Sequence, residues 1–537
     1  MTTDPTVLVV GAGPAGLTLA IELARRQVAV RIIDVVVQPP AHSRALALQT
    51  RTVEVLDRFG IADTAIARGQ RVRALNLYAS RRRLSRVDLG RLDSPFPFTL
   101  ALEQPRTEQL LRDHLAGLGV VVERGVELVS LIRMPDGVAA ELRKGDTHEQ
   151  VRPAWLAGCD GAHSTVRQLP GLPFEGASYP DEFLLGDMHV DWALARDEGH
   201  GFLAESGLLF AIPLDEERYR LISTRPVGDP AGDDQDAIMA AFRSRVRALA
   251  PAGTTLRDPV WLGSFHVHRR LVSQLRSGRV FLVGDAAHIH SPAGGLGLND
   301  AVQDAANLGW KLALAASRGA PMALLDTYHA ERHPLAQATL RGTDVATRAV
   351  TSRNRVLRRV RRVLPRLLGF GPVQRLLVPL AGQLQIVYPH SPFVEDGPWH
   401  GRGVAAGHRA PDAPLDDGQG AERLFHCFRD PRHVLLLFEG LAGDRDDPVG
   451  PLAAEVTRTH GAQVAVHVVR RAGRAAHERY GATHPCCYLI RPDGYVGFRA
   501  KPIDAAGLTA HLGRLFPPAR PVDPPVALEG VDHAVRG

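Results

Sequence analysis

The chain has 537 residues, of which 45% are hydrophobic and 23% are charged, and its formal net charge is +6 at pH 7. These values are typical of a folded protein of two to four domains, because a single hydrophobic core seldom serves more than about 250–300 residues. The positive charge is spread along the chain without a basic block, which argues against nucleic-acid binding.

The cysteines give information about compartment and metal binding. They stand at positions 159, 427, 486 and 487 and form neither a CxxC pair nor a metal-ligand spacing. We therefore expect free thiols, no metal and a reducing, cytoplasmic location. We also expect neither a signal peptide nor a membrane span, because the chain has no basic n-region and no run of about twenty apolar residues.

The N-terminal segment predicts a βαβ unit. Residues 6–10 (TVLVV) and 28–34 (VAVRIID) are predicted as buried strands, and residues 17–27 as the helix between them. A unit of this kind begins a parallel sheet, so the chain is expected to start with a Rossmann-like α/β domain.

The stretch GAGPAG lies between the first strand and the helix. Gly11 would permit a tight turn, Gly13 would admit a pyrophosphate to the backbone, and Gly16 would allow close packing of helix on strand. Asp34 at the end of the second strand would bind a ribose hydroxyl. The pattern predicts a dinucleotide site without distinguishing NAD from FAD; a glycine turn that only packs a helix on a sheet is the alternative.

Further elements follow in chain order. Residues 106–119 predict an amphipathic helix, and 120–156 predict strands with a turn at 134–137. A strand at 279–285 ends in a turn, and a helix is expected at about 296–318.

Two regions have sequence patterns that differ from the α/β pattern of these elements. Residues 176–273 contain short alternating stretches, such as 208–214 and 218–223, which predict an inserted antiparallel sheet. Residues 353–370 are basic and amphipathic, and we interpret them as a solvated helix face rather than a membrane-surface helix. Beyond about residue 400 a linker-like composition precedes alternating strand and helix signals, which predict a small α/β domain.

Three motifs together carry a family resemblance. CDGAHSTVR at 159–167 and GDAAH at 284–288 both follow strand-like runs, and with GAGPAG they resemble the three fingerprints of the class A flavoprotein monooxygenases. Residues 42–61 and 102–111 are also similar to that family. The subgroup that the chain most resembles comprises the polyketide-tailoring and rifampicin-type hydroxylases, which carry a third, thioredoxin-like domain.

The resemblance implies a multidomain protein of mixed α/β and α+β class. A discontinuous FAD-binding domain would comprise residues 1–175 and 274–399, with a helical linker over 320–399. Residues 176–273 would form the substrate domain. Residues 400–537 would form a thioredoxin-like domain without redox activity, because the spaced cysteine pair is missing.

The resemblance also implies a set of cofactor-binding residues. Asp34 would bind the adenosine ribose, Gln104 would lie near the adenosine half, Asp160 would support the phosphate region, and Asp285 would hydrogen-bond the ribityl chain. Arg44, Pro292 and Gly295 would line the flavin. The complete set is Gly11, Gly13, Pro14, Ala15, Gly16, Asp34, Arg44, Gln104, Asp160, Gly284, Asp285, Pro292, Gly295, Gly297, Leu298 and Asn299.

The loop SPAGGLGLND at 291–300 would lie over the edge of the isoalloxazine ring. Its glycines would let backbone N–H groups point at the ring, and the following helix N-terminus would stabilise negative charge on reduced flavin. Two positions here depart from the family, which often has Gln at 296 instead of Leu and a smaller residue than Asp at 300. Asp300 could cap the helix or crowd the flavin.

A third departure lies beside Asp34, because Val35 stands where the family usually has a basic residue. We expect this to weaken the contacts of the adenine side. His288 and His290 flank the flavin loop, and a hydrogen bond to the backbone is the preferred interpretation for both.

The resemblance implies a reaction in which NADPH or NADH reduces FAD, and O2 then supplies an oxygen atom to an aromatic substrate by way of a flavin C4a-hydroperoxide. No second glycine-rich dinucleotide motif is present, which agrees with a transient nicotinamide donor. No catalytic side chain is assigned; six candidates for contact with the substrate or for proton transfer lie in the inserted domain: His189, Asp191, Tyr219, Arg220, His266 and His268.

Several alternatives remain open at this stage. Hydroxylation of a polycyclic polyketide is the main hypothesis, while Baeyer–Villiger oxygenation and antibiotic inactivation of the rifampicin type use the same scaffold. A halogenase is disfavoured because the chain lacks a WxWxIP signature, and a non-catalytic flavin-binding protein is disfavoured by the intact motifs. We expect a monomer or homodimer with a small aromatic substrate, and no nucleic-acid or membrane partner.

Overall fold

The computed structural model describes residues 4–43, 45–79, 82–204, 207–225, 234–291, 294–318, 320–351, 371–415, 422–442 and 448–517. Two residues that the resemblance assigns to the flavin site, Arg44 and Pro292, lie outside these described residues. The basic segment 353–370 lies outside them as well. The expectations for these positions therefore stay predictions.

A six-stranded sheet organises the N-terminal part of the fold. Its strands lie in the order Arg276–Ser277, Val280–Leu282, Trp155–Gly158, Val7–Val10, Val30–Asp34 and Glu123–Arg124. All neighbours pair in parallel except the short edge strand at 276–277. The central strand at 7–10 is buried throughout, which explains its continuous apolar sequence. The predicted βαβ unit is confirmed, and the carboxyl ends of the parallel strands meet at one edge.

Two helices pack closely at this sheet: Pro14–Ala24, here the first helix, and Gly297–Arg318, here the loop helix. Gly309 lies against Glu22, and a Cβ at position 309 would overlap the Glu22 side chain. Gly284, beyond the strand at 280–282, lies between the starts of the two helices, since a Cβ there would be 2.8 Å from Ala301 Cβ and 3.4 Å from Ala15 Cβ. Both helix N-termini therefore lie at the same edge of the sheet.

An eight-stranded sheet forms the second layer. Its strands lie in the order His288–Ile289, Thr255–Val272, Phe174–Asp191, Arg218–Thr224, Gly207–Pro213, Glu198–Ala204, Ala74–Ala79 and Arg82–Asp88. The antiparallel pairing expected for 208–214 and 218–223 is confirmed. The strands at 74–79 and 82–88 also join this sheet, although the sequence gives no sign that an N-terminal segment contributes to it.

The two faces of the eight-stranded sheet differ. One face packs against the helix Gln235–Leu249, with Tyr219 among the residues of that core. The other face carries an apolar cluster that contains four aromatic side chains and that we call the aromatic face: Phe183, Phe210, Trp261 and Phe265. The strand alternation separates these two sets of side chains.

Smaller elements complete the N-terminal region. Two three-stranded sheets have the orders Thr147–Val151, Val138–Lys144, Glu127–Arg133 and Ala47–Leu48, Thr99–Ala101, Gln70–Val72. The remaining helices are Thr50–Arg58, Ala62–Arg68, Gln104–Gly117, Thr165–Gln168, Met322–Thr351 and Gly371–Ala381. Within the described ranges, no helix is both long and apolar enough to cross a membrane.

The C-terminal region contains a five-stranded sheet of its own. The strand order is Glu395–Trp399, Val496–Lys501, Cys486–Ile490, His433–Phe438 and Val464–Val469. In the described part of this region, four helices accompany it: Leu424–Cys427, Val449–His460, Arg474–Tyr480 and Ala505–Leu515. Cys486 and Cys487 are buried free thiols on a central strand, and burial raises the pKa of Cys487 to about 12.

A buried charge network joins this C-terminal sheet to the helices behind the loop. Arg491 donates from Nη1 and Nη2 to the two carboxylate oxygens of Glu331, each at 2.8 Å. Lys311 Nζ also lies 2.8 Å from Glu331 Oε2, and Asn307 Nδ2 donates to both Glu331 and Asp493. The turn after the strand at 486–490 is thereby fixed to the loop helix and to the helix Met322–Thr351.

Candidate active site

The glycine-rich turn after the first strand is built as its spacing predicts. Gly11 has φ +101°, and a Cβ there would collide with the carbonyl of Cys159. A Cβ at Gly16 would overlap the carbonyl oxygen of Gly11, so the first helix packs directly on the turn. A Cβ at Gly13 would meet no atom within 4 Å. The backbone at Gly13 therefore faces open space, as an approaching phosphate requires.

The start of the first helix offers unpaired donors at the same place. The first helical hydrogen bond runs from Leu17 N to Gly13 O, at 3.0 Å. The N–H groups of Ala15 and Gly16 precede it, and Pro14 has no N–H to leave unsatisfied. Together with the helix dipole, these donors make the turn suitable for a pyrophosphate.

Asp34 ends its strand beside this turn and is anchored by the backbone. Its Oδ2 accepts a hydrogen bond from Ala12 N and its Oδ1 accepts one from Val36 N, both at 2.8 Å. Arg124 approaches from the neighbouring strand, with Nη1 at 3.5 Å from Asp34 Oδ2. Val35 is 61% exposed. Arg124 therefore places a basic side chain beside Asp34, although position 35 has none, and no motif in the sequence indicates this pairing.

Gln104 lies at the start of its helix and is held by two side chains. Ser43 Oγ donates to Gln104 Oε1 at 2.6 Å, and Gln104 Nε2 donates to Glu108 Oε1 at 2.8 Å. Burial raises the pKa of Glu108. Gln104 therefore ties the segment before position 44 to the helix Gln104–Gly117.

Two carboxylates follow the other parallel strands. Asp160 Oδ2 accepts from Val166 N at 3.1 Å, and its buried Oδ1 has no hydrogen-bond partner among the described residues. Asp285 follows Gly284 and is exposed, and no hydrogen bond engages its carboxylate in the part of the chain that the structure describes. Desolvation by the surrounding residues raises the pKa of both carboxyl groups.

The loop before the loop helix is held by Asn299. Its Nδ2 donates to Ala47 O at 2.8 Å and to Gly295 O at 2.7 Å, and its Oδ1 accepts from Gln49 N at 2.8 Å. Gly295 has φ +63°, a conformation that favours glycine. The Asn299 side chain thus shapes the loop and has no polar atom left for a ligand.

The backbone at the start of the loop helix is available instead. The first helical hydrogen bond here runs from Asp300 N to Leu296 O, at 2.8 Å. The N–H groups of Gly297, Leu298 and Asn299 precede it and have no acceptor within the helix. They form a second donor cluster at the edge of the sheet.

His288 departs from the expected hydrogen bond to the backbone. Its Nε2 lies 2.7 Å from Asp304 Oδ2, while Asp304 Oδ1 accepts from Arg332 Nε at 2.6 Å. Gly284 N also lies 3.3 Å from Asp304 Oδ2. Arg332 and His288 keep the pKa of the Asp304 carboxyl low although burial raises it. The buried hydrogen bonds from His288 and Arg332 to Asp304 support the segment before the loop helix. They form because the loop helix places Asp304 beneath His288.

His290 makes the expected backbone contact and a further one. Its Nδ1 lies 3.0 Å from Ser291 O, and its Nε2 lies 3.3 Å from Asp300 Oδ2. Gln383 Nε2 donates to the other Asp300 oxygen at 2.7 Å. Asp300 Oδ1 is therefore hydrogen-bonded, while Asp300 Oδ2 lies at ion-pair distance from His290 without a hydrogen bond among the described residues.

The aromatic face of the eight-stranded sheet is linked to the FAD-site segment at 42–45. Arg220 Nη1 donates to Ala45 O at 3.3 Å, and the Arg220 guanidinium forms a buried two-point pair with Asp187, each bond at 2.7 Å. His42 stacks on Trp261, with ring centroids 5.9 Å apart and an interplanar angle of 13°. The apolar side chains of this face therefore lie beside the segment that contains position 44.

The six candidates from the inserted domain separate clearly. Tyr219 belongs to the core on the opposite face, beneath the helix Gln235–Leu249. His189 and Asp191 pair with Glu217 and Arg257 near the end of their strand. His266 and His268 are exposed. Arg220 contacts the segment 42–45 through Ala45 O.

These features fit FAD. The open backbone at Gly13 and the donors of the first helix suit a pyrophosphate, and the free carboxylate of Asp285 suits a polyol chain. The donors at 297–299 suit the electron-rich edge of a flavin.

Comparison with known families agrees with this geometry. Residues 4–343 match the family model described as "FAD binding domain", and residues 404–519 match the one described as "Aromatic-ring hydroxylase, C-terminal". The chain belongs to the FAD-dependent aromatic-ring hydroxylases. It is a flavin-dependent monooxygenase with FAD as its cofactor.

Individual members of these hydroxylases are similar over nearly the whole chain. A 6-methylpretetramide 4-monooxygenase from Streptomyces rimosus is 37% identical over 533 residues, which cover 95% of this chain and 93% of that protein. A rifampicin monooxygenase from Streptomyces venezuelae is 36% identical over 461 residues, covering 84% and 92%.

Solved structures of the hydroxylases show the same mixed α/β fold. The structure of an anhydrotetracycline hydroxylase from Streptomyces rimosus has a TM-score of 0.76 and 31% identity, covering 96% of this chain and 100% of that one. An aromatic hydroxylase from angucycline biosynthesis has a TM-score of 0.77 and 32% identity with the same coverage.

Proposed function

We propose that this monooxygenase uses NADPH or NADH and O2 to hydroxylate a polycyclic aromatic substrate of the polyketide type. The observation that carries this proposal is the aromatic face, which packs beside the segment 42–45 of the FAD-binding region. Flat apolar walls suit fused aromatic rings, because aromatic side chains bury a large area and stack with defined geometry. The tetracycline and angucycline names of the similar proteins support the same substrate class.

In this proposal the cofactor lies along the carboxyl edge of the parallel sheet. Gly11, Gly13 and Gly16, with Pro14 and Ala15, would receive the pyrophosphate. Asp34 and Gln104 would hold the adenosine half, and Asp160 would support the phosphate region. Gly284 and Asp285 would adjoin the ribityl chain. The residues that would line the flavin are Arg44, Pro292, Gly295, Gly297, Leu298 and Asn299. Bound FAD supplies the redox chemistry, since it accepts a hydride and activates O2.

The tasks of the protein side chains are binding, orientation and exclusion of water. Arg220 is held by Asp187 and reaches Ala45 O, so it would fix the distance between the aromatic face and the flavin segment. It cannot act as a general base, because an arginine stays protonated. The position of His42 against Trp261 makes this histidine a candidate for contact with a phenol.

We also propose the division into domains that the sequence indicates, with boundaries near 175, 274 and 400. A thioredoxin-like fold for the last domain is supported by its core order, in which parallel strands at 433–438 and 464–469 adjoin the antiparallel strands at 486–490 and 496–501. The domain would be redox-inactive, since Cys427, Cys486 and Cys487 are buried and form no CxxC pair. Free buried thiols support a cytoplasmic location. We expect a monomer or homodimer.

The test follows NADPH oxidation in air with the purified yellow protein. The panel contains anhydrotetracycline, 6-methylpretetramide, an angucycline, a rifamycin and a simple phenol. Acceleration by a polycyclic phenol, with a product heavier by one oxygen atom and with a new hydroxyl, supports the proposal. A ring-expanded ester would instead show Baeyer–Villiger oxygenation, and acceleration by the rifamycin alone would favour antibiotic inactivation, which the rifampicin monooxygenase relative makes the second candidate.

A further inference from the structure

His290 occupies an unusual electrostatic position next to the loop helix. Its side chain is 2% exposed and that of Asp300 is 6% exposed. A Cβ built on Gly297 would lie 3.8 Å from His290 Cε1 and 3.9 Å from Nε2. The imidazole therefore lies directly beside the first residue of the helix, where the unpaired N–H groups begin.

The hydrogen-bond partners define the protonation state of His290. Nδ1 faces the carbonyl oxygen of Ser291, which can only accept, so Nδ1 carries a hydrogen. Nε2 faces Asp300, whose other oxygen already accepts from Gln383 Nε2. The Gln383 amide is itself oriented by Gln303, which donates to its oxygen at 2.7 Å. With a carbonyl oxygen at Nδ1 and the Asp300 carboxylate at ion-pair distance from Nε2, the imidazolium is the form that matches both neighbours.

Asp300 therefore has a different role from the two that its place in the sequence suggests. No bond to the N–H groups of the helix start engages its carboxylate in the described part of the chain. One oxygen accepts a hydrogen bond from Gln383 Nε2, and the other lies 3.3 Å from His290 Nε2. The acidic side chain at 300, where the family often has a smaller one, thus has a defined partner in this chain.

We propose that Asp300 holds His290 as an imidazolium, and that this cation adds to the loop-helix N-terminus in stabilising negative charge on reduced flavin. The inference rests on the proposed position of the flavin beside residues 297–299. It assigns His290 an electrostatic role in setting the redox poise of the cofactor, and it makes Asp300 a positioning residue that acts through His290.

The surrounding charges agree with this assignment. Asp285, after the strand at 280–282, is the second carboxylate that faces His290, and like Asp300 it raises the pKa of the imidazole against the effect of burial. The neighbouring His288 is committed to Asp304, so it does not compete for Asp300. The hydrogen bond of Nδ1 to Ser291 O orients the ring and directs Nε2 toward Asp300.

The test measures the midpoint potential of bound FAD in the wild type, His290→Gln and Asp300→Asn, by equilibration with redox dyes. Neither substrate nor NADPH takes part, so the result is independent of hydroxylation. Both variants are expected to have a more negative potential than the wild type, because each loses the cation. The matched control is His148→Gln, which removes an exposed histidine paired with Glu141 on a separate sheet and is expected to leave the potential unchanged.

The direction in which Asp300→Asn shifts the midpoint potential of FAD distinguishes two roles of the aspartate. If Asp300 acted directly on the flavin as a negative charge, its removal would make the potential more positive, and the proposal would be overturned. An unchanged potential in His290→Gln would overturn it as well. Histidine NMR of the FAD-loaded protein adds a second readout, in which the signal missing from His290→Gln should be that of an imidazolium at pH 7 in the wild type and of a neutral ring in Asp300→Asn. A neutral His290 in the wild type would contradict the proposal, even if the hydroxylase activity were fully established.

Discussion

Arg124 pairs with Asp34 across two neighbouring parallel strands, with 3.5 Å between Arg124 Nη1 and Asp34 Oδ2. The same Nη1 donates to Val36 O, while the buried Nη2 has no hydrogen-bond partner among the described residues. Asp34 itself is held by two backbone N–H groups. Arg124 therefore fixes the end of the strand where the adenosine ribose would bind, and it has a free donor for the ligand.

Replacing Arg124 with Gln should weaken FAD binding by about tenfold, equivalent to roughly 1.4 kcal/mol. The loss stays modest because the pair is partly exposed. FMN, which lacks the adenosine half, should bind equally well to both proteins. Fluorescence titration of flavin-free protein measures both affinities. Arg143→Gln removes an exposed arginine paired with Glu127 and serves as the control. An equal loss for FMN and FAD would show that Arg124 acts on folding and not on the adenosine half.

Two glycines of the first turn should respond differently to alanine. Gly13→Ala adds a methyl group to open space, so the flavin-free variant should melt at the same temperature as flavin-free wild type and yet fail to bind FAD. Gly16→Ala places a methyl group on the Gly11 carbonyl oxygen, so it should destabilise the fold by about 1–3 kcal/mol. Calorimetry and the flavin absorbance of the purified variants test both statements. Full retention of FAD in Gly13→Ala would contradict the pyrophosphate position.

The aromatic face should determine the affinity for polycyclic substrates. Trp261→Ala is expected to raise the KM of an accepted polycyclic phenol about tenfold, because it removes a large stacking surface worth roughly 1.5 kcal/mol or more. More NADPH should then be consumed per product formed, since a loosely held substrate excludes water less well. The neighbouring Val260 is 49% exposed, and Val260→Ala should leave KM unchanged. A KM insensitive to Trp261→Ala would place the substrate elsewhere.

The cysteines should be inert in the folded protein. All four are buried free thiols, and burial raises the pKa of Cys159, Cys486 and Cys487. A thiol-reactive disulfide reagent at pH 7 should label none of them in the native state and all four in urea, because the thiolate is the reactive form. NADPH oxidation by the Cys486→Ala and Cys487→Ala variants should equal that of the wild type. Rapid native labelling would contradict a purely structural role.

The glycine motifs could be interpreted from sequence because their constraints are local. Each glycine of the first turn is required by its immediate surroundings. A side chain at Gly11 would collide with the carbonyl of Cys159, one at Gly16 would collide with the carbonyl of Gly11, and Gly13 faces open space. Arg124 could not be found in this way, because it meets Asp34 only when two strands that are distant in sequence pair side by side. A comparison of motifs shows that position 35 has no basic side chain. It cannot show that Arg124, on a neighbouring strand, lies beside Asp34.

The histidines of the loop illustrate the same limit. A backbone hydrogen bond was the simplest expectation for both, and His290 makes one to Ser291. His288 instead meets Asp304, because the loop helix folds back beneath the strand at 280–282. Alternation along the strands indicated a sheet at 176–273, but only the tertiary structure shows which face adjoins the flavin segment. The six polar candidates of the inserted domain can be separated only when it is known which of them lie on the face that adjoins this segment.

The Glu331–Arg491 pair should contribute strongly to the stability of the whole molecule. Glu331 accepts hydrogen bonds from Arg491, Lys311, Asn307 and Ser391 in a buried site. Glu331→Gln is therefore expected to lower the free energy of unfolding by about 3 kcal/mol at pH 7, since it removes the carboxylate that Lys311 and Arg491 share and leaves, among the described residues, only Asp493 paired with Arg491. Lys311 can relieve part of the cost by losing its proton, because burial already lowers its pKa to about 8. Glu127→Gln, at an exposed pair, should cost less than about 1 kcal/mol.

The stabilisation by Glu331 should also depend on pH. Arg491 and Lys311 hold the pKa of this carboxyl well below its ordinary value, despite the opposing effect of burial. The unfolded chain therefore takes up the proton first as the pH falls, beginning near the ordinary glutamate pKa of about 4.3, and this uptake stabilises the unfolded state. Urea titrations at pH 7 and at pH 4 and below should show the difference between wild type and Glu331→Gln shrinking with acidification. A constant difference would mean that folding leaves the pKa of Glu331 unchanged, and a difference that grows toward low pH would mean that folding raises it; either result would contradict the prediction.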